Sequence, residues 1–454
     1  MTVLYPFQQE GVDLIDHFNG RALLADEMGL GKGVQTLFWL KRHPEIERAI
    51  VVCPSSIKWN WQREAATHVG IRADVLETTK PPKRGFRHNT RLLIINYDIL
   101  YAWMPYLLKY KPQLLIPDEC HLAKNPRARR TRALTALCNE TPNVIPLSGT
   151  PLTNRPAELW PTLHMIRPDL YPVFWPFGHR YCGAKRQPWS WEFKGATHLK
   201  ELHTNLKSQM MIRRTKAEVL KDLPAQTSSV VRLPIERRRD YNEALHDLAS
   251  WVKKHDPKKL RGILRSEALT RAGYLLRMVA ELKMKYALEW ADNYLEESEQ
   301  KLVTFSVHRK TVARVHSHYR KSSVVVDGSI RGNKRQSCFD QFNFDKKTRV
   351  FAGNLHAAGT GWSCKSSPTV AFFELGYVPG DHSQAMQRVH GLNRGVVGVG
   401  SQAFFLVAYD TVEEDLCRLL LKKQKILDRV LDGKRTKQFD VFSEFLEVIR
   451  SKKS

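Results

Sequence analysis

Two trains of short apolar runs, each spaced by amphipathic stretches, limit what this 454-residue chain can fold into. In the first, Leu23 to Ala25, Ala49 to Cys53, Leu92 to Asn96, Leu114 to Asp118 and Val144 to Ser148 read as strands, with helical patterns between several of them. Alternation of this kind predicts a parallel α/β sheet, whose ligands gather at the carboxyl ends of the strands. The second train, Leu302 to Ser306, Val324 to Asp327, Arg349 to Gly353, Thr369 to Glu374 and Ala403 to Val407, predicts a second sheet of the same class. Pro117 and Pro146 fall inside proposed strands, where a missing N–H removes a ladder bond, but both stand near strand ends and the strands are retained.

The first strand runs into L-L-A-D-E-M-G-L-G-K-G-V-Q-T at 23–36. Asp26, Glu27, Met28, Gly29, Leu30, Gly31, Lys32 and Gly33 have the form of a phosphate-binding loop. Glycines let backbone N–H groups curl around an anion, the following helix adds partial positive charge, and the lysine reaches the outer phosphates. A glycine-rich turn before a core helix is the plain alternative. The position after Lys32, where nucleotide-hydrolysing loops carry Ser or Thr to hold magnesium, is Gly33, and Thr36 is almost one turn further on. If the missing hydroxyl limits magnesium binding, Gly33→Thr should lower the magnesium concentration needed for activity.

Two further strand ends carry polar clusters. Asp118-Glu119-Cys120-His121 places adjacent carboxylates where an apolar strand stops. In phosphoryl transfer one such carboxylate holds magnesium, usually through water, and its neighbour orients the attacking water, which gives Asp118 the first role and Glu119 the second. A solvated acidic loop is the alternative. Ser148-Gly149-Thr150-Pro151 is a hydroxyl-rich turn suited to coupling nucleotide state to domain movement through Ser148 and Thr150.

Taken together, D-E-M-G-L-G-K, D-E-C-H and L-S-G-T-P-L-T-N resemble the Swi/Snf-type translocases of helicase superfamily two. The resemblance implies two RecA-like parallel-sheet lobes with a helical insertion between them, ATP and Mg2+ as ligands, and translocation on double-stranded DNA. It divides the chain into a first lobe at 1–170, an insertion with brace and helical protrusion at 171–300, and a second lobe at 301–454. In L-Y-P-F-Q-Q-E-G-V it implies that Gln8 reads the adenine, and in C-P-S-S-I-K-W-N-W that Ser55, Ser56 and Lys58 touch the DNA backbone. M-M-I-R-R-T-K-A-E-V-L-K-D-L-P at 210–224 is similar to a brace segment of this group, with Arg213, Arg214 and Lys216 near its working surface.

In the second half, A-A-G-T-G-W-S at 357–363 resembles the turn that links DNA contacts to nucleotide, with Gly359, Thr360 and Gly361 at its core. E-L-G-Y-V-P-G-D-H-S-Q-A-M-Q-R-V-H at 374–390 carries Gln384 and Arg388. The family's second arginine should follow His390. Here Gly391 stands there, and the next arginine is Arg394, which replaces it if the chain bends at Gly391 and Asn393.

Seventy-two Lys and Arg against 46 Asp and Glu leave a formal charge of +26, well beyond the excess a domain needs for solubility, and favour a polyanionic partner. Lys124, Arg127, Arg129, Arg130 and Arg132 offer either a solvated helix face or a phosphate-tracking surface. The aromatics between Tyr171 and Trp191 are expected to pack rather than to stack on bases, because duplex DNA exposes none. Seven cysteines without a C-x-x-C pair argue against zinc and disulfide frameworks. With no membrane span or secretory leader in view, the expectation is a soluble, monomeric, intracellular protein, from a bacterium or phage, or nuclear if eukaryotic. Two rival readings are a DNA-binding protein that has lost turnover and a strand-separating helicase.

Overall fold

The computed structural model describes residues 3–82, 90–220, 226–248, 250, 268–330, 332–358, 362, 364–390, 400–433 and 442. Gly359, Thr360, Gly361, Gly391, Asn393 and Arg394 lie outside the described residues. The chain forms two compact units, Met1–Leu223 with Lys425–Thr436 and Pro224–Gln424 with Lys437–Ser454. Residues 171–223 thus cluster with the first unit and 224–300 with the second.

The first unit is built on β2 (Ala49–Cys53), β3 (Ala73–Val75), β4 (Leu92–Asn96), β5 (Leu114–Pro117) and β6 (Asn143–Val144), all parallel, in the order β3-β4-β2-β5-β6. Strands β2, β4 and β5 are buried at every position because helices cover both faces of the sheet. Val51, Ile94 and Ile116 face one core with Trp39, Leu40 and Trp61, while Val52, Ile95 and Leu115 face another with Leu100, Trp103 and Leu134.

The prolines shorten the pairing instead of abolishing it. The Pro117 carbonyl accepts from the Leu147 N–H at 2.8 Å and the Asp118 N–H donates to Val52 at 2.7 Å, so β5 loses only the donor aimed at its β6 neighbour. Pairing with β6 accordingly ends at Leu115↔Val144, and Leu147 makes isolated bridges to Leu24 and Asp118. A short antiparallel pair, β7 (Lys185–Arg186) and β8 (Trp191–Glu192), follows, and β1 (Leu23–Leu24) pairs parallel with β9 (Met211–Ile212), a pairing the sequence did not suggest.

The second unit holds six parallel strands in the order β10-β15-β14-β11-β13-β12: β10 (Gln226–Leu233), β11 (Leu302–Ser306), β12 (Ser323–Val326), β13 (Val350–Asn354), β14 (Thr369–Phe372) and β15 (Ser401–Ala408). Strand β10 escaped the sequence reading because it lies at the sheet edge, half-exposed along most of its length, and its Q-T-S-S-V-V-R-L lacks an apolar run. Both sheets thus bear out the expected pair of parallel α/β lobes. Behind β15, the buried Lys283 ammonium donates to the Leu406 carbonyl at 2.5 Å and to Glu413 at 2.7 Å, which leaves no buried cation unmatched there.

All seven cysteines are free, and no helix among the described residues is long and apolar enough to cross a membrane.

His382 gives the second unit a pH dependence. Its ring is buried, Nε2 accepts from the Gly376 N–H at 3.1 Å, and Nδ1 lies 3.1 Å from the Val378 carbonyl, the pattern of a neutral imidazole. Burial pulls its pKa down from 6.5 to about 4. The unfolded chain therefore binds a proton that the folded chain refuses, and stability present above the unfolded value is lost as pH falls through this window, by roughly 1.4 kcal/mol per pH unit. Urea midpoints of the second unit's transition should fall between pH 7 and pH 5, and His382→Gln should flatten that slope.

Candidate functional site

The glycine-rich loop leaves β1 and enters α2 (Lys32–Arg42). Gly29 and Gly31 have φ of 88° and 75°, the left-handed region that other residues enter only at a cost, and their placement curls the loop before the helix begins. The Lys32 ammonium donates to the Asp26 carbonyl at 2.9 Å. Burial lowers its pKa, opposed by the nearby carboxylates of Glu119, Asp26 and Asp118. Gln8, on α1 (Pro6–His17), is buried: it accepts from the Tyr5 N–H at 3.1 Å and donates to the Leu30 carbonyl at 3.1 Å, so its amide binds the loop itself.

Beneath the loop, Asp26 is fully buried. Its carboxylate receives Arg214 Nη2 at 2.5 Å, Arg214 Nε at 3.0 Å and Gln35 Nε2 at 3.0 Å. Arg214 also donates to the Phe7 carbonyl and stacks over its ring at 5.6 Å. Glu27 accepts from the Lys216 N–H at 2.7 Å. Arg213 donates to the Ala25 carbonyl at 2.7 Å, the Gly149 carbonyl at 3.3 Å and Asp432 at 2.6 Å, all within the first unit.

Asp118 and Glu119 stand at the carboxyl end of β5, as expected. Asp118 Oδ1 accepts from the Glu119 N–H at 2.9 Å, Oδ2 from the Trp61 indole at 2.8 Å, and its carbonyl from Tyr97 at 2.8 Å. Burial first, and then the charge on Glu119, push its pKa well above the ordinary carboxylate range. Glu119 takes a left-handed φ of 51°, which turns it away from the strand toward His121, 3.4 Å off, and Ser148, 3.5 Å off. His121 Nδ1 meets Ser148 Oγ at 3.0 Å, and Ser148 Oγ accepts from the Thr150 N–H at 3.1 Å. The carboxylate turn and the hydroxyl turn are therefore one hydrogen-bonded group.

Gly33 faces α3 (Lys58–Glu64). A Cβ there would lie 3.2 Å from Glu64 Oε2 and 3.4 Å from Trp61 Cη2. That crowding weighs against the expected benefit of threonine at 33. Thr36 donates back to the Gly33 carbonyl at 2.9 Å and takes no part in the loop's polar face.

Ser55 and Ser56 are exposed on the turn before α3. Lys58 departs from the sequence expectation: it is buried and donates to the Leu76 carbonyl at 3.0 Å, since the start of α3 turns its stem toward the end of β3. Arg127, Arg129, Arg130 and Arg132 are exposed, whereas Lys124 is held by Thr153 at 3.0 Å. Packing accounts for Phe177 and Tyr181, while Trp189 is 98% exposed. In the second unit Gln384 is buried, and Arg388, ending the helix Pro379–Arg388, donates to the Trp362 carbonyl at 2.8 Å. Sequence reasoning missed Gln35, Trp61 and Tyr97 as parts of the site. Trp61 stood inside a quoted segment, but nothing in its spacing announced a bond to Asp118.

The SNF2-related domain family matches residues 7–283, a span that holds the loop, both polar turns and Arg213 to Lys216. The chain is 32% identical over 432 residues to the SWI/SNF-related matrix-associated actin-dependent regulator of chromatin subfamily A-like protein 1 of Xenopus tropicalis, covering 93% of this chain and 44% of that protein. It is 26% identical over 455 residues to the DNA annealing helicase and endonuclease ZRANB3 of Homo sapiens, covering 96% of this chain and 41% of that one. It therefore spans less than half the length of either relative. A solved structure of the Sulfolobus solfataricus SWI2/SNF2 ATPase core in complex with dsDNA aligns with 99% of this chain and 96% of its own at 21% identity, with a TM-score of 0.46.

The buried carboxylate beneath the loop makes a direct prediction. Arg214→Ala should lower the unfolding free energy of the first unit by about 3–5 kcal/mol, because Asp26 loses its main partner. Arg214→Lys should recover only part of that loss, since an ammonium does not reproduce the two-pronged contact. Urea unfolding of the two variants beside the wild type measures both effects.

Proposed function

The chain belongs to the SNF2-related family, and we propose that it is an ATP-driven motor that moves on double-stranded DNA, hydrolysing ATP to ADP and phosphate. The observation that carries this reading is the convergence, beyond the ends of the parallel strands β1 and β5, of Lys32, Asp118, Glu119 and the Ser148 turn. These groups fit a nucleotide triphosphate: a curled backbone and an ammonium for the phosphates, and carboxylates beside them for a cation and a water.

In this reading Lys32 exchanges its loop carbonyls for phosphate oxygens, and its charge offsets theirs. Gln8 reads the adenine once its amide leaves Leu30. Asp118, with the loop residues around it, would hold Mg2+, which when bound offsets charge on the phosphate oxygens. Glu119 orients the attacking water. Its contacts to His121 and Ser148 tie that water's position to the S-G-T turn, and through Arg213 to the end of β1. The exposed arginines between 127 and 132, with Ser55 and Ser56, supply contacts for a phosphate backbone, supported by the net charge of +26. Arg388 and Arg394 remain the second unit's candidates for phosphate contact. A reduced, DNA-containing compartment suits the seven free cysteines.

Gly33 favours one rival, a DNA-binding protein with little turnover. Phosphate release from ATP with and without duplex DNA separates the two, with Lys32→Ala as the blank. We expect release to rise severalfold or more with duplex DNA and to vanish in Lys32→Ala and Glu119→Gln. Release that ignores DNA, or that survives Lys32→Ala, would falsify the motor reading. Strand displacement is a separate activity, read with labelled forks in the same assay series.

A further inference from the structure

We propose that Trp61 is a positioning residue for Asp118, and that Trp61 and Glu64 fill the place where other phosphate loops keep a hydroxyl, so that glycine at 33 is a requirement of this site. The inference rests on the nucleotide reading above.

Trp61 and Glu64 stand three residues apart on α3, so their side chains share a face. That face meets Gly33. A Cβ at 33 would come within 3.2 Å of Glu64 Oε2 and within 3.4 and 3.5 Å of Trp61 Cη2 and Cζ2, the outer edge of the indole. The N–H lies on the same side of the ring, since Nε1 and Cζ2 are both bonded to Cε2, and it donates to Asp118 Oδ2 at 2.8 Å. One side of a rigid ring therefore meets both the loop at Gly33 and the carboxylate.

The neighbours give that ring little freedom. It is 3% exposed and packed in the core that also contains Leu37 and Leu40 of α2. Glu64 is held in turn by Asn60, whose amide donates to Oε1 at 2.8 Å. Because an indole is a donor only, a buried one must find an acceptor, and here the acceptor is Asp118. The second oxygen of Asp118 is fixed by the Glu119 N–H at 2.9 Å. With both oxygens held, the carboxylate has one orientation.

A ring present for packing alone could satisfy its N–H with any acceptor; here the acceptor is the carboxylate at the end of β5. A threonine at 33 would add two heavy atoms beyond a Cβ already 3.2 Å from Glu64 Oε2 and in van der Waals contact with the indole, so Glu64 or Trp61 would have to give way. The missing hydroxyl and the tryptophan are thus two halves of one arrangement: the side chain that elsewhere touches the cation is absent, and the side chain that occupies its space orients the remaining carboxylate.

Three variants of the full chain test this: Trp61→Phe, Gly33→Thr and the two combined. Phenylalanine keeps a buried ring but removes both the N–H and the Cη2–Cζ2 edge. Equilibrium dialysis with labelled ATP across a magnesium titration, without DNA, reads cation-dependent binding apart from turnover. DNA-stimulated phosphate release then gives kcat and KM, and thermal unfolding reports packing. Trp61→Phe is expected to raise the magnesium needed for half-maximal ATP binding roughly tenfold, as for loss of one hydrogen bond to a charged group, and to lower kcat more than it changes KM at saturating magnesium. Gly33→Thr alone is expected to weaken magnesium-dependent binding, and the double variant to bind better than Gly33→Thr.

The proposal fails if Trp61→Phe leaves the magnesium dependence and kcat as in the wild type. It fails equally if Gly33→Thr improves magnesium-dependent binding with Trp61 in place, and that single variant decides the matter should Trp61→Phe not fold. If the wild type binds no ATP, or binds it no better than Lys32→Ala, the nucleotide reading itself falls and takes this proposal with it. A difference confined to the Trp61 and Gly33 variants leaves that reading untouched.

Discussion

The Asp26 carboxylate is completely buried at the end of β1, and a charge in that position must be met by fixed partners or the loop above it would not hold. The partners come from two separate stretches of chain, and a third holds one of them. Arg214 reaches it from beyond β9, Gln35 from the first turns of α2, and the Phe7 carbonyl on α1 engages the far side of the same guanidinium. One ion pair therefore fastens the glycine-rich loop, the N-terminal helix and the segment after Met210 to one another. Arg213 next door serves the carbonyls of Ala25 and Gly149 in the same way. Consecutive arginines thus clamp the floor of the site and leave its upper face to Lys32 and the carboxylates.

The parallel sheets explain why polar groups collect where they do. Strands β2, β4 and β5 are buried on both faces, so their interiors admit only apolar side chains, and the first position free of that demand is the residue beyond the strand. Asp118 and Glu119 occupy such positions. The left-handed backbone at Glu119 then separates two adjacent carboxylates, turning one toward Trp61 and the other toward His121 and Ser148. Side chains one residue apart acquire different surroundings, which is what distinct chemical roles require.

Much of this architecture was legible in advance. Ala49 to Cys53, Leu92 to Asn96 and Leu302 to Ser306 were strands at their expected bounds, because a strand buried on both faces reads as a largely apolar run. The edge strand β10 left no such trace, since half of its surface is open and polar residues suffice there. The pairing of β1 with β9 was equally hidden, joining two short segments far apart in the chain. Lys58 misled for a related reason: a lysine in a basic segment reads as a surface charge, yet its long stem carries the ammonium inward to a free carbonyl at Leu76.

The sequence by itself determined the fold class, the glycine-rich loop, the carboxylate pair and the family, because each is a local pattern of residue types at fixed spacing. The tertiary structure alone decided what those residues touch. Gly33 read as a missing ligand in the sequence; in the fold it lies against Trp61 and Glu64, and the same tryptophan reaches Asp118. That relation joins positions 33, 61 and 118, which no local spacing links, and it exists only because parallel strands deliver their ends, and the helices behind them, to a common edge.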